Sequence, residues 1–208
     1  MRRWLTVELA LFLTMSANTG LAQSLPPLET KTLDEQPVVI PGVGRTRPLL
    51  LFIGFSHKSD EDFKKWTDEA RTPFVTDARV DYYELADLQS APALIRKMIV
   101  HGMRGSVKEP RRAHLAPFAQ HDTEWKMLVN FADPDVICVV LADPKGNVVW
   151  QSRGPATEAK AQELESVLTK LSGESSSAPS VPGHPATRAP AQGLKQRSAK
   201  IFTSFWRF

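Results

Sequence analysis

The chain of 208 residues contains a single cysteine, Cys138. One thiol can form neither an intramolecular disulfide nor a dithiol couple, so thiol–disulfide exchange by a cysteine pair is excluded. Cys138 lies in the apolar run 136–141, and this setting favours a buried core residue over a reactive thiol.

Several other classes of site have no counterpart in the sequence. There is no glycine-rich phosphate loop and no carboxylate pair that marks acid–base catalysis. The five histidines lack metal-ligand spacing, and Pro117 separates His114 from His121, which argues against one helix face presenting both. The net charge of +3 is mild and no nucleic-acid recognition motif accompanies it. We therefore expect no catalytic residue, no cofactor, no metal and no nucleic-acid partner.

The first 22 residues have the three parts of a secretory signal. Arg2 and Arg3 form the basic part, residues 4–17 are mostly apolar, and residues 20–22 supply the small side chains of a cleavage site. This pattern predicts cleavage after Ala22 and export, to the periplasm or to a membrane-associated position. An uncleaved anchor is the alternative, although the apolar run is shorter than the roughly 20 residues of a membrane-spanning helix.

Composition divides the rest of the chain into four parts. Residues 23–47 contain several prolines and glycines and are interpreted as a loose leader and linker. Residues 48–172 hold the apolar runs and periodic segments of one domain. Residues 173–194 are rich in serine, proline and alanine, which predicts disorder, and residues 195–208 form a basic, aromatic tail.

The tail carries an apolar stripe with basic residues around it. Ile201, Phe202, Phe205 and Trp206 recur at i, i+1, i+4 and i+5. This spacing predicts a short helix that lies on a membrane surface, or a docking peptide. A frayed tail without a partner is the alternative.

Within the domain, strands and helices alternate. Residues 49–55 form a continuous apolar run typical of a central strand, and residues 136–142 and 147–151 flank an Asp-Pro-Lys-Gly turn, which predicts a hairpin. The other predicted elements are a short edge strand at 38–40, a helix from an N-cap at Ser59 to near Pro73, a strand at 79–85, a helix at 93–103, an irregular segment at 106–120, a short helix that Asp122 caps, and a helix at 157–171 that Gly173 ends. This order predicts an α/β, thioredoxin-like fold with a central mixed β-sheet flanked by helices.

The turn after the strand at 49–55 reads Ser56-His57-Lys58-Ser59. A thioredoxin carries its Cys-x-x-Cys pair at this place, and here two serines keep the spacing. A hydroxyl cannot replace the thiolate that attacks a disulfide, so the sequence predicts the fold without the redox activity. A Ser–His or Ser–Lys nucleophile is the alternative, but adjacent side chains rarely face one another and no orienting acid is specified. We favour a simple turn and helix cap.

The second half of the domain resembles a known family. Asp143, Gly146, Trp150 and Gly154, followed by a final helix, are similar to the C-terminal signature of the "ATP ten" family of mitochondrial ATP synthase assembly factors. The strand and polar turn at 49–66 and the segment at 82–107 resemble the same family. The resemblance implies a redox-inactive thioredoxin-like fold. It also implies a role in assembling the membrane sector of F-type ATP synthase through binding of protein partners.

Two other functions stay open on the sequence alone. One is an exported thioredoxin-like or peroxiredoxin-like enzyme with non-cysteine chemistry, and the other is a membrane-associated adaptor. The strongest candidate for a binding surface is a basic group in the middle helix and the loop after it, which would meet an acidic partner or anionic lipid headgroups. Its members are Arg96, Lys97, Arg104, Lys108, Arg111 and Arg112. A solvated helix face is the alternative.

Overall fold

A computed structural model of the chain describes residues 23–69, 74 and 76–176. The predicted signal (1–22), the tail (195–208) and all but the first four residues of the predicted linker (173–194) lie outside this part. No helix among the described residues combines the length and the apolar character needed to cross a bilayer.

Seven strands and four α-helices make up the described fold. The strands are β1 (Leu28–Lys31), β2 (Pro37–Ile40), β3 (Leu49–Gly54), β4 (Asp81–Asp87), β5 (Leu115–Phe118), β6 (Cys138–Ala142) and β7 (Val148–Arg153). The helices are α1 (Ser59–Lys64), which continues into a π-helical turn (Lys65–Glu69), α2 (Ala93–Ser106), α3 (Asp122–Leu128) and α4 (Glu158–Ser176).

The main sheet has five strands in the order β5-β4-β3-β6-β7. β3 lies in its centre and pairs in parallel with β4, with Leu49 opposite Asp81, and antiparallel with β6, with Leu50 opposite Leu141. Five consecutive side chains of β3 are buried, because both faces of this strand are covered. The predicted central strand, the β6–β7 hairpin and the mixed sheet are thereby confirmed.

Each face of the sheet has its own core. On one face, Phe52 packs with Phe63 and Trp66 of the α1 region and with Leu164 and Leu168 of α4. On the other face, the sheet packs against α3 and the β1–β2 hairpin; the buried residues there include Leu28, Ile40, Leu51, Ile53, Leu85, Trp125 and Leu128. α2 contributes no buried residue to either core.

The segment at 23–47 is not a loose leader, and this prediction was wrong. β1 and β2 form an antiparallel hairpin, with Leu28 opposite Ile40, and both side chains are buried in the core. The Leu33 N–H donates to the carbonyl of Leu115, which ties the hairpin to β5. Each strand has only four residues, so the alternation of apolar and polar side chains is too short to stand out in the sequence. The strand expected at 38–40 is confirmed as part of β2.

The segment at 106–120 is not wholly irregular, because it contains β5. Pro117 is the reason that this strand escaped prediction, since proline has no N–H to donate to a neighbouring strand. The structure accommodates it because β5 is an edge strand of the main sheet and pairs only with β4, where Pro117 lies opposite Ala86.

Two predicted helix ends were also wrong. α4 continues through Gly173 to Ser176, and α2 runs to Ser106 past two further glycines. A glycine lowers helix propensity by about 1 kcal/mol but ends a helix only when it takes up a left-handed backbone conformation. Positive φ values occur instead at Gly146 and Gly154 in the hairpin region.

The predicted N-caps lie one residue inside their helices. Lys58 precedes α1 and His121 precedes α3, so Ser59 and Asp122 are first helical residues. The Ser59 hydroxyl donates backwards to the carbonyl of Ser56 and so holds the turn that precedes the helix.

Cys138 is buried as predicted, with 1% of its surface exposed. It sits in the middle of the sheet, opposite Ile53 of β3 and Arg153 of β7. Burial raises the pKa of the thiol, which keeps it protonated and poorly nucleophilic at neutral pH.

Candidate functional site

The turn between β3 and α1, here called the serine turn (residues 56–59), is held by hydrogen bonds of its own side chains. The Ser59 hydroxyl donates to the Ser56 carbonyl at 2.7 Å, and the Ser56 hydroxyl donates to Asp135 Oδ1 at 2.8 Å. Lys58 Nζ lies 2.8 Å from the other oxygen of Asp135. These contacts from Lys58 and Ser56 lower the pKa of Asp135. The Ser59 hydroxyl therefore closes the turn, and the Ser56 hydroxyl ties the turn to Asp135.

A cavity of about 730 Å³ opens beside the serine turn, at the carboxyl ends of the parallel strands β3 and β4. Ligands of open α/β sheets commonly bind at this end of the strands. Charged side chains from α1, β4 and the loop after α2 line this cavity, which is here called the charged cavity. They are Asp60, Lys64, Glu84, Lys108, Glu109 and Arg111.

Arg111 lies at the centre of these charges. Its Nε is 2.8 Å from Glu84 Oε2 and its Nη2 is 2.6 Å from Glu84 Oε1, so the pair is bidentate. Nη2 also donates to Asp60, and the guanidinium carbon lies 4.5 Å from the ring centre of Phe63. Burial raises the pKa of Glu84, and Arg111 opposes this shift. Burial also acts against ionised Asp60, but the hydrogen bonds from Arg111 and Lys64 outweigh it and lower that pKa.

The chain matches no protein-family model and no curated protein, but it resembles solved structures. An exposed lipoprotein thioredoxin from Streptococcus pneumoniae is 8% identical over 70% of this chain and 99% of its own, with a TM-score of 0.50. BsSco, a member of the Sco family of cytochrome c oxidase assembly proteins, is 10% identical over 76% of this chain and 96% of its own, with a TM-score of 0.49. StoA from Bacillus subtilis is 12% identical over 71% of this chain and 99% of its own, with a TM-score of 0.46.

The fold is thioredoxin-like. The likeness to the lipoprotein thioredoxin agrees with the mixed five-stranded sheet and its flanking helices, and at this level of identity it shows the fold alone. The serine turn follows the central parallel strand, where the sequence predicted the counterpart of the cysteine pair. The predicted fold class is confirmed.

The six basic residues predicted as one binding group do not form one free patch. Arg111 and Arg112 are held in ion pairs, the latter with Asp34, and Arg104 pairs with Glu35 of the β1–β2 hairpin. Arg96 donates to the backbone carbonyls of Ala91 and Gln89, which precede its helix. The side chains of two members, Lys97 and Lys108, make no hydrogen bond or ion pair within the described residues. Sequence proximity grouped these cations, but the fold pairs most of them with carboxylates that are distant in sequence.

The family-signature residues build the hairpin and anchor the α1 region. Asp143 accepts from the N–H groups of Lys145 and Asn147 and so fixes the β6–β7 turn, in which Gly146 has φ +89°. Trp150 lies edge-on to Trp66 at 6.2 Å between ring centres. The carbonyl of Gly154 accepts the indole N–H of Trp66. Their positions are therefore structural, and none of them lines the charged cavity.

No cluster of three or more histidine, cysteine or carboxylate side chains that would suit a metal ion occurs in the described part of the chain. Sequence reasoning did miss one pair of carboxylates, on the other side of the sheet from the charged cavity. Asp87 ends β4 and Asp122 begins α3, where Lys126 lies 3.0 Å from it. Burial is the main cause that raises the pKa of Asp87 to about 6, and hydrogen bonding and repulsion with Asp122 add to it.

Replacing Asp87 with asparagine is expected to flatten the pH dependence of stability. The pKa of Asp87 in the folded protein, about 6, lies above the value of about 3.9 in an unfolded chain. The folded state therefore binds more protons between these values, so the free energy of unfolding falls as the pH rises from 4 to 6. Measured by urea unfolding, the free energy of unfolding of the parent should fall by about 1–3 kcal/mol between pH 4 and pH 8, and that of Asp87→Asn should fall by less.

The exposed Glu163→Gln provides the matched control for this titration, because it also removes one carboxylate charge. It should leave the pH profile of the parent unchanged. An Asp87→Asn profile as steep as that of the parent would contradict the assignment to the Asp87–Asp122 pair.

Proposed function

We propose that this chain is a redox-inactive thioredoxin-like protein that acts by binding protein partners. The observation that carries the proposal is the serine turn, where both side chains that keep the Cys-x-x-Cys spacing are hydroxyls: that of Ser59 donates to the Ser56 carbonyl and that of Ser56 donates to Asp135. The one thiol of the chain, Cys138, is buried and has a raised pKa, so no second route to disulfide exchange presents itself.

The charged cavity supports a binding role. It is large enough for a side chain or a short peptide segment, and its charges are largely paired with one another, as in Arg111 with Glu84 and Asp60. Lys108 adds an unpaired cation to its lining. A binding site with pre-formed ion pairs keeps its shape when a partner arrives, because few side chains need to be reordered.

The partner class follows from the resemblance to the "ATP ten" family. We propose that the chain assists assembly of a membrane complex, with the membrane-sector subunits of F-type ATP synthase as the partners. The secretory pattern of residues 1–22 supports an extracytoplasmic location, in the periplasm or at a membrane.

Redox inactivity is tested by an insulin-reduction assay on the full chain. The parent should not accelerate disulfide reduction by dithiothreitol. The double variant Ser56→Cys/Ser59→Cys installs the missing pair at the same turn and is expected to gain activity, whereas Ser56→Cys alone lacks the second thiol and should gain little. Reduction of insulin by the parent, or peroxide consumption in a parallel assay, would instead favour an enzyme.

Partner binding is tested by affinity capture from detergent-solubilised membranes of the source organism, with the full chain as bait and mass spectrometry as the readout. The Lys108→Glu variant reverses the free cation of the charged cavity, and Lys145→Glu makes the same change at the β6–β7 turn, at the opposite end of the sheet. Recovery of ATP synthase membrane-sector subunits that Lys108→Glu weakens and Lys145→Glu does not would support the proposal. Recovery of none of these subunits would refute this partner class.

A further inference from the structure

α2 is an amphipathic helix of 14 residues that buries none of its side chains. Each of the other three helices places at least one apolar residue in the core, for example Phe63 in α1 and Leu168 in α4. Surface helices normally bury their apolar stripe against the protein. Ile99, Val100 and Met103 are only half-buried, and the apolar side chains of α2 that point away from the protein lie open within the described structure.

The most exposed apolar side chains of α2, here called the outer stripe, are Leu94, Ile95 and Met98. Their exposed fractions are 72%, 42% and 65%. Leu94 and Met98 are four residues apart and so lie one above the other on one side of the helix. The cavities beside α2 are lined by Val100 and Met103, which face the protein. The outer stripe thus forms a convex apolar ridge.

Two glycines continue this side of the helix towards its C-terminus. Gly102 lies one turn after Met98, and Gly105 lies close to the same line. A Cβ atom added at either position would have no neighbour within 4 Å, so both are open to the surroundings. Because the two glycines have no side chains, the backbone of the helix can approach a broad surface closely along this line.

The charge of α2 has one sign. Residues 93–106 contain no aspartate or glutamate, and Lys97 flanks the outer stripe without an ion-pair partner in the described part of the chain. Lys108, which follows the helix, likewise has no ion-pair partner in the described part of the chain. Arg104 is paired with Glu35, and Arg96 donates to the backbone carbonyls of Ala91 and Gln89. Among the described residues, Lys97 and Lys108 are therefore the cations of this segment whose side chains have no such partner. An apolar ridge beside unpaired lysines is complementary to a surface of anionic headgroups over hydrocarbon.

We propose that α2 lies in the surface of an anionic membrane, with Leu94, Ile95 and Met98 inserted among the lipid chains. Lys97 would then face lipid phosphates, while Lys108 lines the charged cavity. The ridge is convex and lies apart from the cavities described beside α2, which suits a fluid bilayer better than the pocketed centre of a protein interface. The C-terminal end of α2 lines the charged cavity through Met103, so this orientation would hold the cavity close to the membrane. The proposal does not depend on which protein partner the cavity binds.

Site-specific fluorescence tests this placement in the full chain. Leu94→Cys and Met98→Cys are labelled separately with an environment-sensitive dye; Cys138 is buried and stays unlabelled in the folded protein. Met127→Cys on α3 is the matched control, because Met127 is 66% exposed but lies on another helix. On vesicles of phosphatidylcholine with phosphatidylglycerol, the labels at 94 and 98 should shift to the blue and be quenched by lipid-borne quenchers. The label at 127 should do neither.

The affinity for the same vesicles gives a second readout. Leu94→Ser/Met98→Ser should lower the partition coefficient about tenfold through lost apolar insertion, and Lys97→Gln about fivefold. Met127→Ser should leave it unchanged. If the protein binds vesicles while the labels at 94 and 98 stay in water, another segment makes the contact and the proposal is wrong. Equal binding to phosphatidylcholine alone would overturn it as well, as would labels that respond only to an added protein partner.

Discussion

Replacing Arg111 with methionine is expected to lower the free energy of unfolding by about 3–5 kcal/mol. The guanidinium makes a bidentate pair with Glu84, and 11% of the Glu84 side chain is exposed. Methionine keeps much of the apolar contact with Phe63 but leaves Glu84 buried without a cation. Breaking a buried pair from one side costs more than the pair itself contributes, because an uncompensated charge remains in a medium of low polarity.

The pH dependence of the Arg111→Met variant provides a sharper signature than its stability at one pH. Burial already raises the pKa of Glu84 while Arg111 opposes that shift, so removing the arginine should raise this pKa further. When the pKa of a carboxyl is higher in the folded than in the unfolded state, the free energy of unfolding of the protein falls as the pH rises from the lower of these two values to the higher. The deficit of Arg111→Met should therefore shrink in acid, where Glu84 becomes neutral.

Two controls separate a buried pair from a general loss of positive charge. Arg47→Met removes an exposed arginine that lies 2.7 Å from Asp81, and it should cost less than about 1 kcal/mol. Arg111→Met/Glu84→Gln removes both charges and should recover part of the loss. Urea unfolding of the four proteins measures these differences. A cost for Arg111→Met no larger than that for Arg47→Met would contradict the role given to this pair.

The elements that were predictable from the sequence have strong local patterns. β3 is a continuous apolar run, the Asp-Pro-Lys-Gly turn sets the β6–β7 hairpin, and α4 repeats its apolar residues at helical spacing. β1, β2 and β5 have four residues each, and such short segments take their structure from the strands beside them. Their leucines and isoleucines are buried by tertiary contacts that no local pattern encodes.

The candidate site was predictable only where its geometry is local. The serine turn follows from the strand before it and the helix after it, so the sequence located it correctly. The Arg111–Glu84 pair joins residues 27 apart in sequence, and Asp87 meets Asp122 only because β4 and α3 are neighbours in the fold. The six basic residues were predicted as one group because they are close in sequence. Their carboxylate partners are distant in sequence, so neither those ion pairs nor the two pairs above can be predicted until the order of the strands is known.

Trp66 is the second position where a large effect is expected. It lies in the π-helical turn after α1, is 1% exposed, and its indole N–H donates to the Gly154 carbonyl at 3.0 Å. Its ring contacts Phe52 of β3 and Trp150 of β7. Trp66→Ala should lower the free energy of unfolding by about 3–5 kcal/mol, because it removes a large buried ring and leaves a cavity.

Trp66→Phe separates the hydrogen bond from the packing. Phenylalanine keeps most of the apolar ring but leaves the Gly154 carbonyl without its donor, which should cost about 1–3 kcal/mol. Val149→Ala on the exposed side of β7 is the control and should cost less than about 1 kcal/mol. Urea unfolding of the three variants gives the order. If Trp66→Phe were as stable as the parent, the Gly154 contact would contribute little, and packing alone would hold the α1 region to the hairpin.

The Trp66 and Arg111 variants are also expected to act differently on the charged cavity. Trp66 joins the α1 region to the β6–β7 hairpin, and α1 in turn supplies Asp60 to the charged cavity. A variant that loosens this anchor should lose partner capture even under conditions where it is still folded, because the cavity depends on the position of α1. Arg111→Met should lose capture through the lining itself, with the anchor intact. Near-ultraviolet circular dichroism of the tryptophans distinguishes the two, since only the Trp66 variants should change it while both lose binding.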